Sequence, residues 1–214
     1  MNYDVNDAPL ATSDYETGHR VTLTATIPIP ITSTIRSTAS FYYNGQNGQP
    51  YSIVFNGDAN ADGVTTNDIA FVPATADQVV LVNGTWDQLN DYINSDCSMR
   101  EHRGSIPLRN SCHSPWINAL DFRYAVMLPT GGSTRVELTM DVFNLLNLLN
   151  KDWGWSLYPT LNSPIPIGYA GINPATGKET LNLSTITSPN FQGTFNRDDL
   201  RSRWQAQFGA RVRF

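Results

Sequence analysis

The last eleven residues, from Trp204 to Phe214, limit what this chain can fold into more than any other segment. Apolar residues alternate there with polar residues or glycine. Because side chains of an extended strand point alternately to its two faces, the segment predicts a strand over 204–214 with one apolar face. Chain ends usually fray, yet this one carries large apolar side chains on that face: Trp204, Phe208, Val212 and Phe214. Such a strand fits a transmembrane barrel, apolar toward lipid and polar toward the lumen, and it also fits the core of a soluble β-sandwich.

Two segments in the middle of the chain predict a hairpin. Residues 116–128 and 134–145 both alternate, and the turn between them contains two glycines that can adopt positive φ. One face of each strand carries charged residues, which are very costly in a dry core when unpaired. The pattern therefore favours a wet lumen, although a soluble sheet with one solvated face has the same alternation. In the second strand the polar face comprises Arg135, Glu137, Thr139 and Asp141, and the apolar face comprises Val136, Leu138, Met140 and Val142.

Further strands are predicted near 19–28 and 33–55, and two long polar segments lie near 56–115 and 156–200. Within the first long segment, residues 85–93 predict a short helix with Trp86, Leu89 and Ile93 on one side. Loops of this length are uncommon in compact domains and are expected on the extracellular side of outer-membrane barrels. The predicted fold class is all-β: an antiparallel transmembrane β-barrel segment of about five or six strands, an incomplete barrel, with long extracellular loops.

Composition excludes several classes of protein. Charged residues make up 15% of the chain, below the roughly 25% of an average soluble domain. No stretch approaches the roughly 18 apolar residues of a membrane-spanning helix. The net charge is −5 and no basic tract is present, so we expect no nucleic acid partner. The three histidines have no nucleophile at a recognisable spacing, and no phosphate-binding or metalloprotease motif occurs, so we expect that the protein is not an enzyme.

The two cysteines, Cys97 and Cys112, lie in the first long polar segment. In an exported protein we expect them to form a disulfide, which could add about 3 kcal/mol of stability on the chain-entropy model. Two unrelated free thiols are the alternative. Neighbouring histidines do not match a zinc-binding spacing.

A candidate calcium loop follows the second predicted strand. Asp58, Asn60 and Asp62 occur on alternate residues before a glycine, and Asp68 lies further along. Carboxylate and amide oxygens are the ligands that Ca²⁺ prefers, and glycine allows the sharp turn. A regular EF-hand has its closing carboxylate one residue later than Asp68, so these four residues predict at most an irregular calcium site. A set of side-chain-to-backbone turns is the alternative.

Several segments, in order and spacing, resemble the C-terminal barrel of TonB-dependent outer-membrane receptors. The nearest branch is the Oar-like receptors, which often carry an N-terminal carboxypeptidase-regulatory-like domain. The resemblance covers nearly the whole chain. It rests on the segments 13–20 (SDYETGHR), 57–73 (GDANADGVTTNDIAFVP), 109–116 (RNSCHSPW), 141–147 (DVFNLLN) and 204–214.

The resemblance implies a receptor for nutrient uptake in the bacterial outer membrane, with a barrel of about 22 strands. Its partners would be outer-membrane lipid, the barrel-assembly machinery, an unidentified nutrient and the TonB complex, which it would reach through an N-terminal plug missing from this sequence. The assembly machinery would read the terminal strand, through Trp204, Phe208, Val212 and Phe214. Since the first residues lack the basic and apolar regions of a signal peptide, we expect this chain to be the C-terminal part of a longer precursor.

A second hypothesis also accounts for these features. The chain could be a secreted soluble β-sandwich that acts as a binding module, with the calcium loop and the Cys97–Cys112 disulfide stabilising it. Solubility separates the two hypotheses, because isolated barrel strands would expose lipid-facing apolar surface and aggregate without detergent.

Overall fold

The structure, a computed structural model, describes residues 10–159 and 164–214. Strands are the main regular structure of these residues, which also form three short α-helices and a 3-10 turn at Ala76–Gln78. The elements, in chain order, are β1 (Arg20–Pro30), β2 (Arg36–Gln46), β3 (Pro50–Tyr51), β4 (Phe55–Asn56), β5 (Val79–Val82), α1 (Trp86–Ser95), α2 (Cys97–Glu101), β6 (Cys112–His113), β7 (Ile117–Pro129), β8 (Arg135–Phe143), α3 (Leu145–Leu149), β9 (Leu157–Pro159), β10 (Ile167–Ile172), β11 (Glu179–Asn182), β12 (Phe195–Arg197) and β13 (Gln205–Arg213).

The chain divides into two compact units. One, which we call the sheet unit, comprises residues 17–48, 115–157 and 197–214. The other, the disulfide unit, comprises the described parts of residues 10–16, 49–114 and 158–196.

The sheet unit is built on one five-stranded antiparallel sheet with the order β1-β2-β7-β8-β13. β7 and β8 form the predicted hairpin, and the glycines of its turn, Gly131 and Gly132, both have positive φ. The sheet is open, since β1 and β13 form its two edges. The fold is therefore all-β and antiparallel in its main sheet, as predicted, and the described strands do not close into a barrel.

The register of this sheet keeps every apolar stripe on the same face. Directly opposed residues in antiparallel strands point to the same side. Met140 of β8 lies opposite Phe208 of β13 on one side and opposite Tyr124 of β7 on the other. The same face continues through β2 and β1, where Phe41 lies opposite Phe122 and Ala25.

Connections differ sharply between the two ends of the sheet. At one end β1 joins β2, and β7 joins β8, through turns of a few residues. At the other end the chain makes two long excursions, one between Gln46 and Ile117 and one between Phe143 and Gln205. Short turns thus join four of the five strands at one end of the sheet, and long segments leave from the other end.

The structure differs from the prediction of one strand over 33–55. β2 ends at Gln46, and residues 50–56 pair elsewhere, with β3 joining β6 and β4 joining β10. The reason is burial: Tyr51, Ile53, Val54 and Phe55 are all enclosed in the disulfide unit. The strand count differs for the same cause. Five long strands form the main sheet, and the described residues add eight short ones.

The two long segments predicted as loops contain the disulfide unit's own hydrophobic core. Its four-stranded sheet has the order β4-β10-β11-β5, with parallel outer pairs and an antiparallel central pair. The core includes Tyr51, Phe55, Val72, Leu89, Ile93, Met99, Ile167, Leu181 and Leu183. These apolar residues come from short segments far apart in the sequence, so no single segment shows a clear periodicity, although the side chains are fully buried.

Helix α1 lies where the sequence predicted a helix. Thr85 is its N-cap and forms a reciprocal capping box with Gln88, whose backbone N–H and side-chain oxygen are both used. Leu89 and Ile93 are fully buried against the core, while Trp86 packs at its margin.

The Cys97–Cys112 disulfide joins α2 to β6, with the two Cα atoms 6.2 Å apart. We expect the double variant Cys97→Ser/Cys112→Ser to lose about 3 kcal/mol of unfolding free energy, because the unfolded chain is no longer closed into a loop. Hydrogen-exchange mass spectrometry of residues 86–101 under native conditions measures this loss locally. Reductant should reproduce the loss in the wild type and have no effect on the double variant. Equal exchange in both proteins would contradict the prediction.

Candidate functional site

The apolar face of the five-stranded sheet is exposed mainly along its two edge strands, β1 and β13, and at Leu138 of β8, whereas its β7 side chains are half-buried and Ala39 of β2 is buried. Leu23 of β1 is 62% exposed, Phe208 of β13 is 76% exposed, and Phe214 is 95% exposed. Other large side chains on this face that remain solvent-accessible are Val21, Ile27, Ile29, Leu138 and Val212. Soluble proteins rarely leave a contiguous apolar surface of this kind uncovered. We therefore expect an apolar partner to cover this face.

Of the four residues predicted as an assembly signal, the structure places Phe208 and Val212 in β13 and Trp204 and Phe214 directly beside it. All four are exposed. Their alternation with Gln205, Gln207, Arg211 and Arg213 puts them on the apolar face of the sheet.

The apolar face keeps its few polar groups paired. The Ser37 hydroxyl donates to the Ile29 carbonyl at 2.7 Å, and the Tyr124 hydroxyl donates to Ser37 Oγ at 3.0 Å. This pairing matters because an unsatisfied polar group costs several kcal/mol in hydrocarbon.

The opposite face of the sheet is polar and contains two cross-strand ion pairs. Arg123 Nη1 lies 3.2 Å from Asp141 Oδ1, and Arg213 Nη2 lies 2.7 Å from Glu137 Oε2. The carboxylates are more enclosed than the arginines. The charges that the sequence placed on one face are thus partly neutralised within the sheet, in an arrangement that suits contact with water.

In the disulfide unit, a buried carboxylate lies beside the disulfide. Asp96 is 3% exposed and caps α2 by accepting a hydrogen bond from the Met99 N–H at 3.1 Å. Its other oxygen accepts from the Tyr51 hydroxyl at 2.8 Å, and that hydroxyl also lies 3.3 Å from Cys97 Sγ. Burial raises the pKa of Asp96, of Tyr51 and of Tyr92. The group is fully hydrogen-bonded, which indicates a structural role.

The raised pKa of Asp96 gives a prediction for stability. A carboxyl whose pKa is higher in the folded than in the unfolded state contributes full stability below its unfolded pKa, about 3.9. That contribution is lost as the pH rises through the folded value. Asp96→Asn keeps an oxygen for the Met99 N–H but has no group that titrates at this position. We therefore expect the free energy of unfolding of the variant, relative to that of the wild type, to increase from acidic to neutral pH.

Urea unfolding of both proteins across this pH range measures the difference. Asp91→Asn changes an exposed carboxylate on α1 and serves as the control, with the wild-type pH profile expected. A constant difference between Asp96→Asn and wild type at all pH values would refute the prediction.

The candidate calcium residues are close together, but their oxygens accept hydrogen bonds from the loop itself. Asp58 accepts from the backbone N–H groups of Asp62 and Gly63, at 3.1 and 2.9 Å. Buried Asp68, 2% exposed, accepts from those of Ala59 and Asn60, at 2.7 and 3.1 Å.

Asn60 and Asp62 complete this network. Asn60 accepts from the Asp62 N–H at 2.9 Å, and Asp62 accepts from the Val64 N–H at 2.8 Å. A hydrogen bond from the Asn67 side chain lowers the pKa of Asp62. These are side-chain-to-backbone turns. In residues 10–159 and 164–214, no group of three or more His, Cys, Asp or Glu side chains is arranged to hold a metal ion. The loop is thus held in this shape by its own hydrogen bonds, and calcium binding by these four residues stays a prediction.

We therefore expect the order of this loop to be independent of calcium. Amide exchange of residues 57–68 should be the same in millimolar calcium and in chelator, and Asp62→Ala should speed exchange equally in both, since it removes a turn. A rise in protection on adding calcium that Asp62→Ala abolishes would establish the calcium site instead.

Sequence reasoning missed the pairs that fix residues 12–16 in the disulfide unit. Buried Asn110, with a φ of 59°, donates to the Thr12 carbonyl at 2.8 Å and to Asp14 at 2.6 Å, and His113 Nε2 lies 2.6 Å from Glu16. No local pattern marks these contacts, because the partners are about 97 residues apart.

None of the helices in the described part of the chain is long and apolar enough to cross a membrane. Comparison with protein-family models, curated proteins and solved structures finds no significant match.

Proposed function

We propose that this chain forms the C-terminal wall strands and external segments of a TonB-dependent receptor, which takes up a nutrient across the bacterial outer membrane. The observation that supports this most is the five-stranded sheet with one continuous apolar face, on which large side chains of β1, β8 and β13 are exposed, and an opposite face that carries ion pairs. Lipid on one side and a wet lumen on the other would satisfy both faces at once.

The connections agree with this proposal. Outer-membrane barrels have short turns on the periplasmic side and long segments on the extracellular side. In the sheet unit, short turns lie at one end of the strands and both long excursions leave from the other. The disulfide also suits an oxidising location outside the cytoplasm.

The two edge strands of the sheet would need further strands as partners in a membrane. Among the strands of residues 10–159 and 164–214, β1 and β13 each have one neighbour, so one row of backbone groups on each lacks a strand partner there. In hydrocarbon such rows must be paired, and a transmembrane sheet must close. On this proposal the remaining strands and the plug that contacts TonB belong to the rest of the receptor, and the assembly machinery recognises β13 with Phe214.

A charge on each face of β13 tests this proposal. Phe208 is on the apolar face and Gln207 is on the polar face. We expect Phe208→Arg to be destabilised in lipid by about 2–4 kcal/mol, the cost of a cation on the lipid side of a barrel, and Gln207→Arg to be unaffected. In water, a charge at so exposed a position would change stability by no more than about 0.5 kcal/mol.

The measurement is flotation of the full chain with phospholipid vesicles, followed by urea unfolding of the floated material. Wild type and Gln207→Arg should float, and Phe208→Arg should float less and unfold at lower urea. If the wild type is instead monodisperse without detergent, and both variants unfold at the same urea concentration as the wild type, the outer-membrane proposal is wrong. A secreted soluble binding module would then account for the chain better.

A further inference from the structure

A cavity of about 360 Å³ opens on the polar face of the five-stranded sheet, at the end from which both long segments leave. Its volume lies in the range of small-molecule sites, about 300–1,000 Å³. The strands β2, β7, β8 and β13 each contribute to its lining, through Gln46, Asp121, Phe143 and Gln205 respectively.

Two hydrogen-bond acceptors are held in place at this cavity. Asp121 uses one oxygen, Oδ1, to accept from the backbone N–H of Asn144 at 2.9 Å. Gln205 uses its Nε2 to donate to the Leu200 carbonyl at 3.4 Å. In the described part of the chain, Asp121 Oδ2 and Gln205 Oε1 have no hydrogen-bond partner. Each side chain is therefore anchored by one polar atom and leaves the other for a ligand.

A donor is held in the same way. Gln46 accepts, through Oε1, from the Asn44 amide at 3.3 Å, and Asn44 in turn accepts from Arg20 Nε at 2.7 Å. This chain of contacts fixes the orientation of the Gln46 side chain and leaves its Nε2 group as a donor. Pre-organised polar groups of this kind reduce the entropy lost on binding.

An aromatic ring lies between the two acceptors. Phe143 is directly opposite Gln205, and its neighbour Val142 is opposite Phe122, which places Phe143 in the strand position beside Asp121. Adjacent strands are about 4.8 Å apart. The cavity lining thus has an exposed phenyl face with an acceptor about one strand spacing away on each side.

The charges at the cavity balance. Arg201 and Arg203 lie on its rim, and Arg201 is paired with Asp198 at 3.5 Å. With Asp121 and Arg203, which also line the cavity, these four side chains have no net formal charge, so neither sign of ligand charge is favoured.

We infer that this cavity binds a neutral saccharide. A hydroxyl group both donates and accepts, so neighbouring ring hydroxyls can donate to Asp121 and Gln205 and accept from Gln46. The apolar C–H face of a sugar ring can cover Phe143, whose ring supplies a flat apolar surface. The saccharide would be the nutrient of the proposed receptor, and this part rests on the proposed function. Binding to the cavity itself requires only the sheet unit.

A peptide fits this cavity less well. Extended peptides usually bind by adding a strand to a sheet edge, where free backbone groups are available. This cavity lies on the face of the sheet, whereas the backbone row of β13 that has no neighbouring strand points outward in the plane of the sheet.

Saturation-transfer NMR on the full chain in detergent micelles tests the inference, with maltose, cellobiose and trehalose as neutral probes. Galacturonate and a blocked neutral tripeptide serve as comparison ligands. We expect at least one disaccharide to bind. Phe143→Leu and Asp121→Asn should each weaken that binding by about tenfold. Asp121→Asn retains Oδ1 for the Asn144 N–H and replaces only the free acceptor by a donor. Gln207→Ala, on the same face of β13 and outside the cavity lining, should leave binding unchanged.

Three outcomes would overturn the inference: no transfer to any disaccharide, equal binding in all variants, or stronger binding of the tripeptide or galacturonate. A variant is compared with the wild type only when their circular dichroism spectra match. If either Phe143→Leu or Asp121→Asn misfolds, the binding of the remaining variant is the test. A chain that inserts into lipid and binds no saccharide refutes this inference alone. A chain that is monodisperse without detergent refutes the outer-membrane proposal, and the same titration in buffer still decides whether the cavity binds saccharides.

Discussion

The register of β7, β8 and β13 is the constraint on which the rest of the sheet unit depends. With Met140 between Tyr124 and Phe208, apolar side chains from three strands share one face. A slip of one residue would move Glu137 and Asp141 to that face and leave Val136 and Leu138 among charges. The apolar face, the ion pairs and the strand residues that line the cavity all follow from this one alignment, because it decides which side chains share a face.

On the proposed function, the two faces of the sheet have different partners, lipid on one side and water on the other. On the apolar face, even the hydroxyls of Ser37 and Tyr124 are paired within the sheet, so little polar surface remains to oppose lipid. On the polar face, carboxylates are partly enclosed and paired with arginines, while the cavity end keeps hydrogen-bonding groups free. A ligand site at that end would be reached from the side where the long excursions begin.

The disulfide unit is stabilised differently. Its core residues come from segments far apart in the sequence, such as Tyr51, Leu89 and Leu181. A covalent link from α2 to β6 adds to the stability of this core by lowering the entropy of the unfolded chain. Asp96 fits the same account: it caps α2 and binds the Tyr51 hydroxyl, at the cost of burying a carboxyl whose pKa is raised.

The sequence by itself determined the features that depend on near neighbours: the alternation of β7, β8 and β13, the glycine turn at 131–132 and the short helix α1. Each follows from a period of two or from contacts within four residues. Only the tertiary structure decided that Tyr51–Phe55 leaves the main sheet, that the polar segments enclose a core, and that Asp121, Phe143 and Gln205 meet at one cavity. Those outcomes depend on pairing between residues that are distant along the chain, and burial, which a local pattern does not record, selects among the alternatives.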